Sequence, residues 1–157
     1  MENLEQKIWF LKQEFVSLLR TIKPDTLPLF GKMNPQQMAE HMAEYIRMAY
    51  GNPVITSQSY SGEITEKMNL FLRTEKPFKP NTPNPLMEKT PPPVKLTTYD
   101  DAVKDVETSI SELFAAFEQE PERQVFNPFF GMLDFPLSIQ LLTKHAQHHL
   151  RQFGAID

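Results

Sequence analysis

The sequence predicts an all-α protein, a helical bundle formed by a single domain that covers residues 1–157. Apolar residues recur in steps of three and four near the start, in the middle and near the end of the chain, as on the buried face of an amphipathic helix. A stretch between Lys76 and Val94 contains seven prolines, which are excluded from helix interiors and central strands. With 157 residues, 40% of them hydrophobic, one core can form without disulfides.

The first two predicted helices are separated by prolines. Helix one is expected from about Asn3 to Thr21, and Pro24 and Pro28 end it. Its apolar positions alternate steps of four and three: Leu4, Ile8, Leu11, Phe15, Leu18 and Ile22. The run 34–37, Asn-Pro-Gln-Gln, offers an N-cap, a proline at the first helical position and a glutamine at the third. Helix two is therefore predicted to begin near Pro35.

The middle of the chain combines a short helix, a long connection and a third long helix. The short helix is expected from about Glu63 to Arg73. The proline-rich stretch 76–94 then predicts an extended crossover, either a surface connection in a polyproline-like conformation or a ligand-recognition element. Thr98 with Asp101 three residues later indicates the start of helix three, which is expected to end near Gln119.

An apolar, turn-rich segment precedes the last helix. Residues 126–133, Phe-Asn-Pro-Phe-Phe-Gly-Met-Leu, are too apolar for an uncovered loop. We expect them to plug one end of the bundle, with a dimer contact or a substrate lid as the alternatives. Pro136 is tolerated only in a first helical turn, so the last helix starts there. Its four-three spacing passes through Leu142, His145, His149 and Phe153, which points both histidines inward.

Three of the four histidines can form one site. His145 and His149 are four residues apart and share a helix face, and His41 lies on or beside the buried stripe of helix two. The chain has no cysteine, so a metal site would use these histidines, and three neutral imidazoles leave a divalent transition metal open positions for water or substrate. The alternative is a satisfied core histidine at 41 and a polar helix end at 145–149.

Three further residues are candidates for supporting roles. Glu44, three residues after His41, is interpreted as a fourth ligand, an orienting carboxylate or a general base, with a solvated helix charge as the alternative. Glu40 is less well placed, because it lies about 100° from His41 around the helix. His148 lies about 60° from His145 on the same helical wheel, so it is expected on the flank, supporting the ligands or at the surface.

Composition and charge narrow the function classes. The net charge of −4 and the lack of a long Lys/Arg run make nucleic acid an unexpected partner. The first residues mix charged and apolar types, which is typical of neither a secretory signal nor a membrane-spanning helix, so we expect a cytoplasmic protein with no membrane partner. The lack of cysteine excludes disulfides and cysteine nucleophiles and is neutral about the compartment.

Two segments resemble signatures of the DinB-like (damage-inducible) superfamily. Residues 144–152, KHAQHHLRQ, are similar to its last-helix signature, a His-x-x-His-His followed by Arg and Gln. Residues 31–42, GKMNPQQMAEHM, are similar to the helix-two signature of its DUF1569-type branch. This resemblance implies a four-helix bundle with a long crossover between helices two and three. It also implies a divalent metal, typically nickel or zinc, held by His41, His145 and His149.

The resemblance also implies a range of functions. Characterised relatives include thiol S-transferases that use bacillithiol or mycothiol, a maleylpyruvate isomerase that uses a thiol cofactor, and metal hydrolases. We therefore expect thiol S-transferase-type chemistry on a small-molecule electrophile, in which the metal lowers the pKa of a low-molecular-weight thiol or of water. The alternatives are a metal-dependent hydrolase and a non-catalytic, stress-associated protein with a structural or vestigial site. A homodimer is expected on family grounds and from the phenylalanines of the segment 126–133. The composition of the proline-rich stretch 76–94 is not typical of the compact relatives.

Overall fold

The computed structural model describes residues 3–82 and 90–157, and these are mostly helical. The N-terminal helix consists of α1 (Leu4–Trp9), a π-helical turn (Phe10–Glu14) and α2 (Phe15–Thr21). The remaining helices are α3 (Pro35–Ala49), α4 (Gly62–Leu72), α5 (Tyr99–Gln119) and α6 (Phe135–Gln152). A small antiparallel hairpin pairs β1 (Val125–Asn127) with β2 (Gly131–Leu133). Within these described helices, none has both the length and the apolar character needed to cross a bilayer.

The capping signals in the sequence locate the starts of two long helices correctly. At α3, the Asn34 side chain accepts a hydrogen bond from the backbone of Gln37 at 2.8 Å, and the Gln37 side chain accepts one from the backbone of Asn34 at 2.9 Å. Thr98 and Asp101 form the same reciprocal pair at α5, which ends at Gln119 as predicted. These side chains satisfy backbone donors that the first helical turn leaves unpaired.

Two elements differ from the sequence prediction. Helix one was expected from about Asn3 to Thr21, and its observed ends agree, but it contains a π-helical turn that the spacing did not predict. The apolar segment 126–133 forms the hairpin, because the side-chain oxygen of Asn127 accepts hydrogen bonds from the backbones of Phe129 (2.9 Å) and Phe130 (3.2 Å) and Gly131 takes a φ of 78°. Hydrophobic periodicity does not detect a turn of this kind.

The apolar side chains form two clusters that meet near the α3–α6 contact. The larger cluster joins the N-terminal helix, α3, α5 and α6, and a two-point ion pair from Arg47 to Asp105 (2.7 and 2.9 Å) fixes α3 against α5. The smaller cluster lies between α4, the hairpin and α6 and contains Leu72, Phe129, Phe130, Leu133, Leu137 and Leu141. Tyr45 packs against both clusters, so it lies at their junction.

Phe129 and Phe130 are only 7% and 5% exposed. The apolar composition of the segment is therefore explained by burial within the chain. This Phe pair offers no open surface for a second subunit, and the expected homodimer stays a prediction.

The described parts of the proline-rich stretch, 76–82 and 90–94, contain neither helix nor strand, as the prolines predict. Pro83 and Pro85 lie outside the described residues. The end of the stretch is held by α3, because Gln37 donates a hydrogen bond to the backbone oxygen of Pro92 at 2.9 Å. The buried Glu40 carboxylate accepts backbone hydrogen bonds from Lys95 and Leu96 at 2.8–3.0 Å. Glu40 therefore fixes the connection, which agrees with its poor placement for a site role.

Candidate metal centre

The structure brings together the three histidines that the sequence assigns to one site. His41 on α3 faces His145 and His149 on α6, one helical turn apart. Nε2 of His145 lies 3.0 Å from Nε2 of His41 and 2.9 Å from Nε2 of His149. One ring nitrogen from each histidine lies within 4.8 Å of the other two. The three rings converge on one point, as ligands of a single cation do.

Burial keeps all three rings in the neutral form that binds metals. Loss of hydration lowers the pKa of His41 to about 4; the charge of Glu44 raises this pKa and that of His148 lowers it further. Burial is also the largest cause of the lowered pKa values of His145 and His149, and the neighbouring histidines act in the same direction. A neutral imidazole offers a lone pair to a cation, so this environment favours metal binding.

A second group of residues fixes the orientation of His149. Gln152, one turn later on α6, donates a hydrogen bond through Nε2 to the backbone oxygen of Phe30 at 2.9 Å. Its Oε1 therefore faces Nδ1 of His149, 2.8 Å away, and accepts the hydrogen that Nδ1 carries. Since a neutral ring carries one N–H, Nε2 of His149 is left with its lone pair toward His145.

Gly31 makes this arrangement sterically possible. Its φ of 74° lies in the left-handed region, and a Cβ at this position would come within 2.7 Å of the Gln152 side-chain nitrogen. The backbone of the 29–31 segment is also tied to α6, because Leu29 donates to the backbone oxygen of Gln152 at 2.8 Å. A glycine is thus needed where the chain passes over the amide that orients His149.

The donor set fits a divalent cation better than it fits a hydrogen-bond network among the rings. One hydrogen on Nε2 of His145 can be directed at His41 or at His149, so at least one ring nitrogen would keep an unsatisfied lone pair. A cation at the centre would accept all three lone pairs at once. Within residues 3–82 and 90–157, Nδ1 of His145 is buried without a hydrogen-bond partner, so packing sets the orientation of that ring.

A cavity of about 490 Å³ opens beside the three-histidine group. Its volume lies in the range typical of small-molecule sites. Its described walls are mainly aromatic and include Phe30, Tyr45, Tyr60, Phe71, Phe78, Phe129 and Phe130. The proline-rich connection also borders this cavity, through Phe78, Lys79, Asn81, Thr82 and Pro91. The converging ring nitrogens therefore lie beside a space suited to a largely apolar organic molecule.

Tyr45 is a polar residue of this cavity that sequence reasoning missed. Its ring packs against His145 with 4.3 Å between centroids, and its hydroxyl lies 3.5 Å from the side-chain nitrogen of Asn127. Burial raises the pKa of Tyr45 to about 12, so its hydroxyl stays protonated. By its spacing, Tyr45 belongs to the apolar stripe of helix two, and its position four residues after His41, on the same helix face, is the signal that could have identified it.

The other candidate residues do not join the three-histidine group. The Glu44 side chain is 58% exposed and forms an ion pair with Lys95, and Glu44 is not one of the cavity-lining residues. This position matches the solvated helix charge that the sequence left as the alternative. His148 lies on the cavity wall, half-buried, with its ring 5.1 Å from that of Phe30. Burial, more than the charge of Arg151, lowers the pKa of His148, and a hydrogen bond to the Phe78 backbone raises it.

Comparison of the chain with protein-family models, with curated proteins and with solved structures found no match.

Proposed function

We propose that this protein is a divalent-metal-dependent enzyme of the DinB-like type, a four-helix bundle with His41, His145 and His149 as the ligands of nickel or zinc. The observation that carries the proposal is the convergence of three neutral imidazoles, one buried and two half-buried, beside a largely aromatic cavity. The sequence resemblance and the helical architecture support the same family, since the ligands come from the second and the last long helices.

The reaction that this site supports best is thiol transfer to a small electrophile, with a low-molecular-weight thiol as co-substrate. A bound divalent metal would act as a Lewis acid that lowers the pKa of a thiol or of water. The chain supplies the remainder of the site. Burial keeps the three rings neutral, Gln152 holds His149 in the ligating tautomer, and the aromatic walls give the reacting atoms mainly apolar surroundings. Homodimer formation and a cytoplasmic location stay predictions.

The proposal is tested by elemental analysis of untreated protein, followed by chelation and reconstitution with cobalt. We expect about one equivalent of nickel or zinc per chain. Cysteine, glutathione, bacillithiol and mycothiol are then added separately, and at least one should change the visible spectrum of the cobalt protein. Spectral insensitivity to every thiol, together with metal-dependent ester hydrolysis, would favour the hydrolase alternative.

The matched control for this experiment is His41→Ala, which should show neither the metal nor the spectral response. Protein that contains no metal and takes none up after reconstitution would refute the proposed function. A metal whose removal lowers only thermal stability, with no thiol response and no turnover, would indicate a structural site.

A further inference from the structure

A second fixed amide defines which way the Tyr45 hydroxyl can donate. The side-chain oxygen of Asn127 accepts backbone hydrogen bonds from Phe129 at 2.9 Å and from Phe130 at 3.2 Å. These two donors determine which end of the amide is oxygen, so the nitrogen of Asn127 faces the Tyr45 hydroxyl oxygen, 3.5 Å away. Asn127 is therefore the donor in this contact and Tyr45 the acceptor.

The consequence is a hydroxyl hydrogen that remains available on the cavity wall. Within the described parts of the chain, no hydrogen bond from the Tyr45 hydroxyl to a protein acceptor is present. Tyr45 lines the cavity, and its ring packs edge-on against His145. A buried hydroxyl without an acceptor is costly, so a ligand that offers an acceptor oxygen beside it is favoured.

The rest of the cavity selects the shape and polarity of that ligand. Aromatic rings form a large part of the cavity wall, with Phe129 set 5.7 Å from Tyr60 and 6.5 Å from Phe130, centroid to centroid. Flat rings accommodate a flat apolar molecule through stacked and edge-to-face contacts. The volume of about 490 Å³ is sufficient for a fused-ring or substituted-ring compound.

We propose that the cavity binds an aromatic carbonyl compound and that the Tyr45 hydroxyl donates a hydrogen bond to its carbonyl oxygen. This inference rests on the proposed function for the idea that the bound molecule is the electrophile, since Tyr45 and the three histidines line the same cavity. Tyr45 is thereby a substrate-binding residue that sets specificity for an acceptor oxygen, while the Phe side chains provide most of the contact area.

The test compares two probes of the same shape, acetylnaphthalene and isopropenylnaphthalene, in which a methylene group replaces the carbonyl oxygen. Binding of each is measured by equilibrium dialysis to the full chain, as purified and after chelation. Tyr45→Phe should weaken binding of the ketone about tenfold, because the carbonyl oxygen loses its donor, and should leave binding of the hydrocarbon unchanged. The infrared carbonyl stretch should move to lower frequency on binding to wild-type protein and not on binding to Tyr45→Phe.

Tyr50→Phe is the matched control, since the Tyr50 hydroxyl donates to Glu112 on α5 at 2.7 Å and Tyr50 is not a cavity-lining residue. It should keep the wild-type affinities and the infrared shift. Equal effects of Tyr45→Phe on both probes, no effect on either, or no binding of either probe by the wild type would overturn the inference. Dialysis of the chelated protein does not require a metal. If the untreated protein contained no metal and took none up, but still showed the ketone effect, the proposed function would be refuted and this inference would stand.

Discussion

Helix α6 carries two groups of buried polar side chains with different partners. Gln140 and Lys144 face the end of α4. The side-chain nitrogen of Gln140 donates to the backbone oxygens of Leu72 and Thr74, both at 3.0 Å. The Lys144 ammonium donates to those of Phe71 (3.2 Å) and Thr74 (2.7 Å). All of these donors are directed at backbone carbonyls in the last turn of α4 or just beyond it, so this group stabilises the fold.

The second group consists of His145 and His149. Their Nε2 atoms converge with that of His41, and among the described residues these atoms have no backbone acceptor. His149 satisfies Nδ1 through Gln152, and its Nε2 is directed at the other rings. Polar groups buried in a fold usually have partners in the protein, and lone pairs that converge on one point are the arrangement that could hold a cation. Substitutions in the two groups should therefore separate metal binding from folding stability.

The largest effect is expected from His149→Ala. Losing one of three ligands should reduce the bound metal from about one equivalent per chain to less than about a tenth. Elemental analysis of the purified variant measures this content. Unchanged content would remove residue 149 from the site.

His148→Ala is the matched control for His149→Ala, because the two histidines are adjacent in sequence and His148 lies outside the group of converging nitrogens. It should retain most of the metal. Equal losses in the two variants would show that the helical phase of α6 does not determine the ligands.

A smaller effect on the metal is expected from Gln152→Leu, which removes the acceptor for Nδ1 of His149 and retains all three ligands. We expect metal affinity to fall about 10–100-fold, as is usual when a residue that orients a ligand is lost. Competition against a chelator of known affinity measures the change.

Gln147→Leu provides the same substitution on the same helix, at a half-buried position that is not one of the cavity-lining residues. Its affinity should match the wild type. A similar loss in both variants would mean that the glutamine at 152 acts through general stability of α6 and not through His149.

Local sequence signals predicted the scaffold of the site. The reciprocal caps at Asn34 and Thr98 fix the starts of α3 and α5, and helical phase places His145 and His149 on one face. Such signals involve residues only three or four positions apart, so they can be seen in a single sequence. The His41 contact required only that α3 and α6 pack together.

The supporting residues of the site could not be predicted in the same way. Gln152 orients His149 only because Phe30 and Gly31 pass over the end of α6. Tyr45 becomes a directed donor only because Asn127 is fixed by the turn of the hairpin. Both arrangements depend on contacts between distant segments, which spacing and periodicity do not encode. Glu44 shows the converse, because its spacing from His41 suggested a role in the site and its side chain points to solvent.

No effect on the metal is expected from Lys144→Met, which completes the comparison of the two groups. Methionine keeps an apolar stem near the Phe71 ring, which lies 4.3 Å from the ammonium, but it cannot donate to the carbonyls at the end of α4. Burial lowers the pKa of Lys144, which shows that the buried charge is costly. Removing that charge offsets part of the loss of hydrogen bonds. The free energy of unfolding should therefore fall by about 1–2 kcal/mol in urea titrations of the chelated protein, with metal content unchanged.

Lys67→Met, an exposed substitution on α4 whose lysine pairs with Glu63, should alter stability only slightly. If Lys144→Met instead lost metal at unchanged stability, the two groups on α6 would not be separable, and the distinction between folding contacts and ligand contacts would fail for this helix.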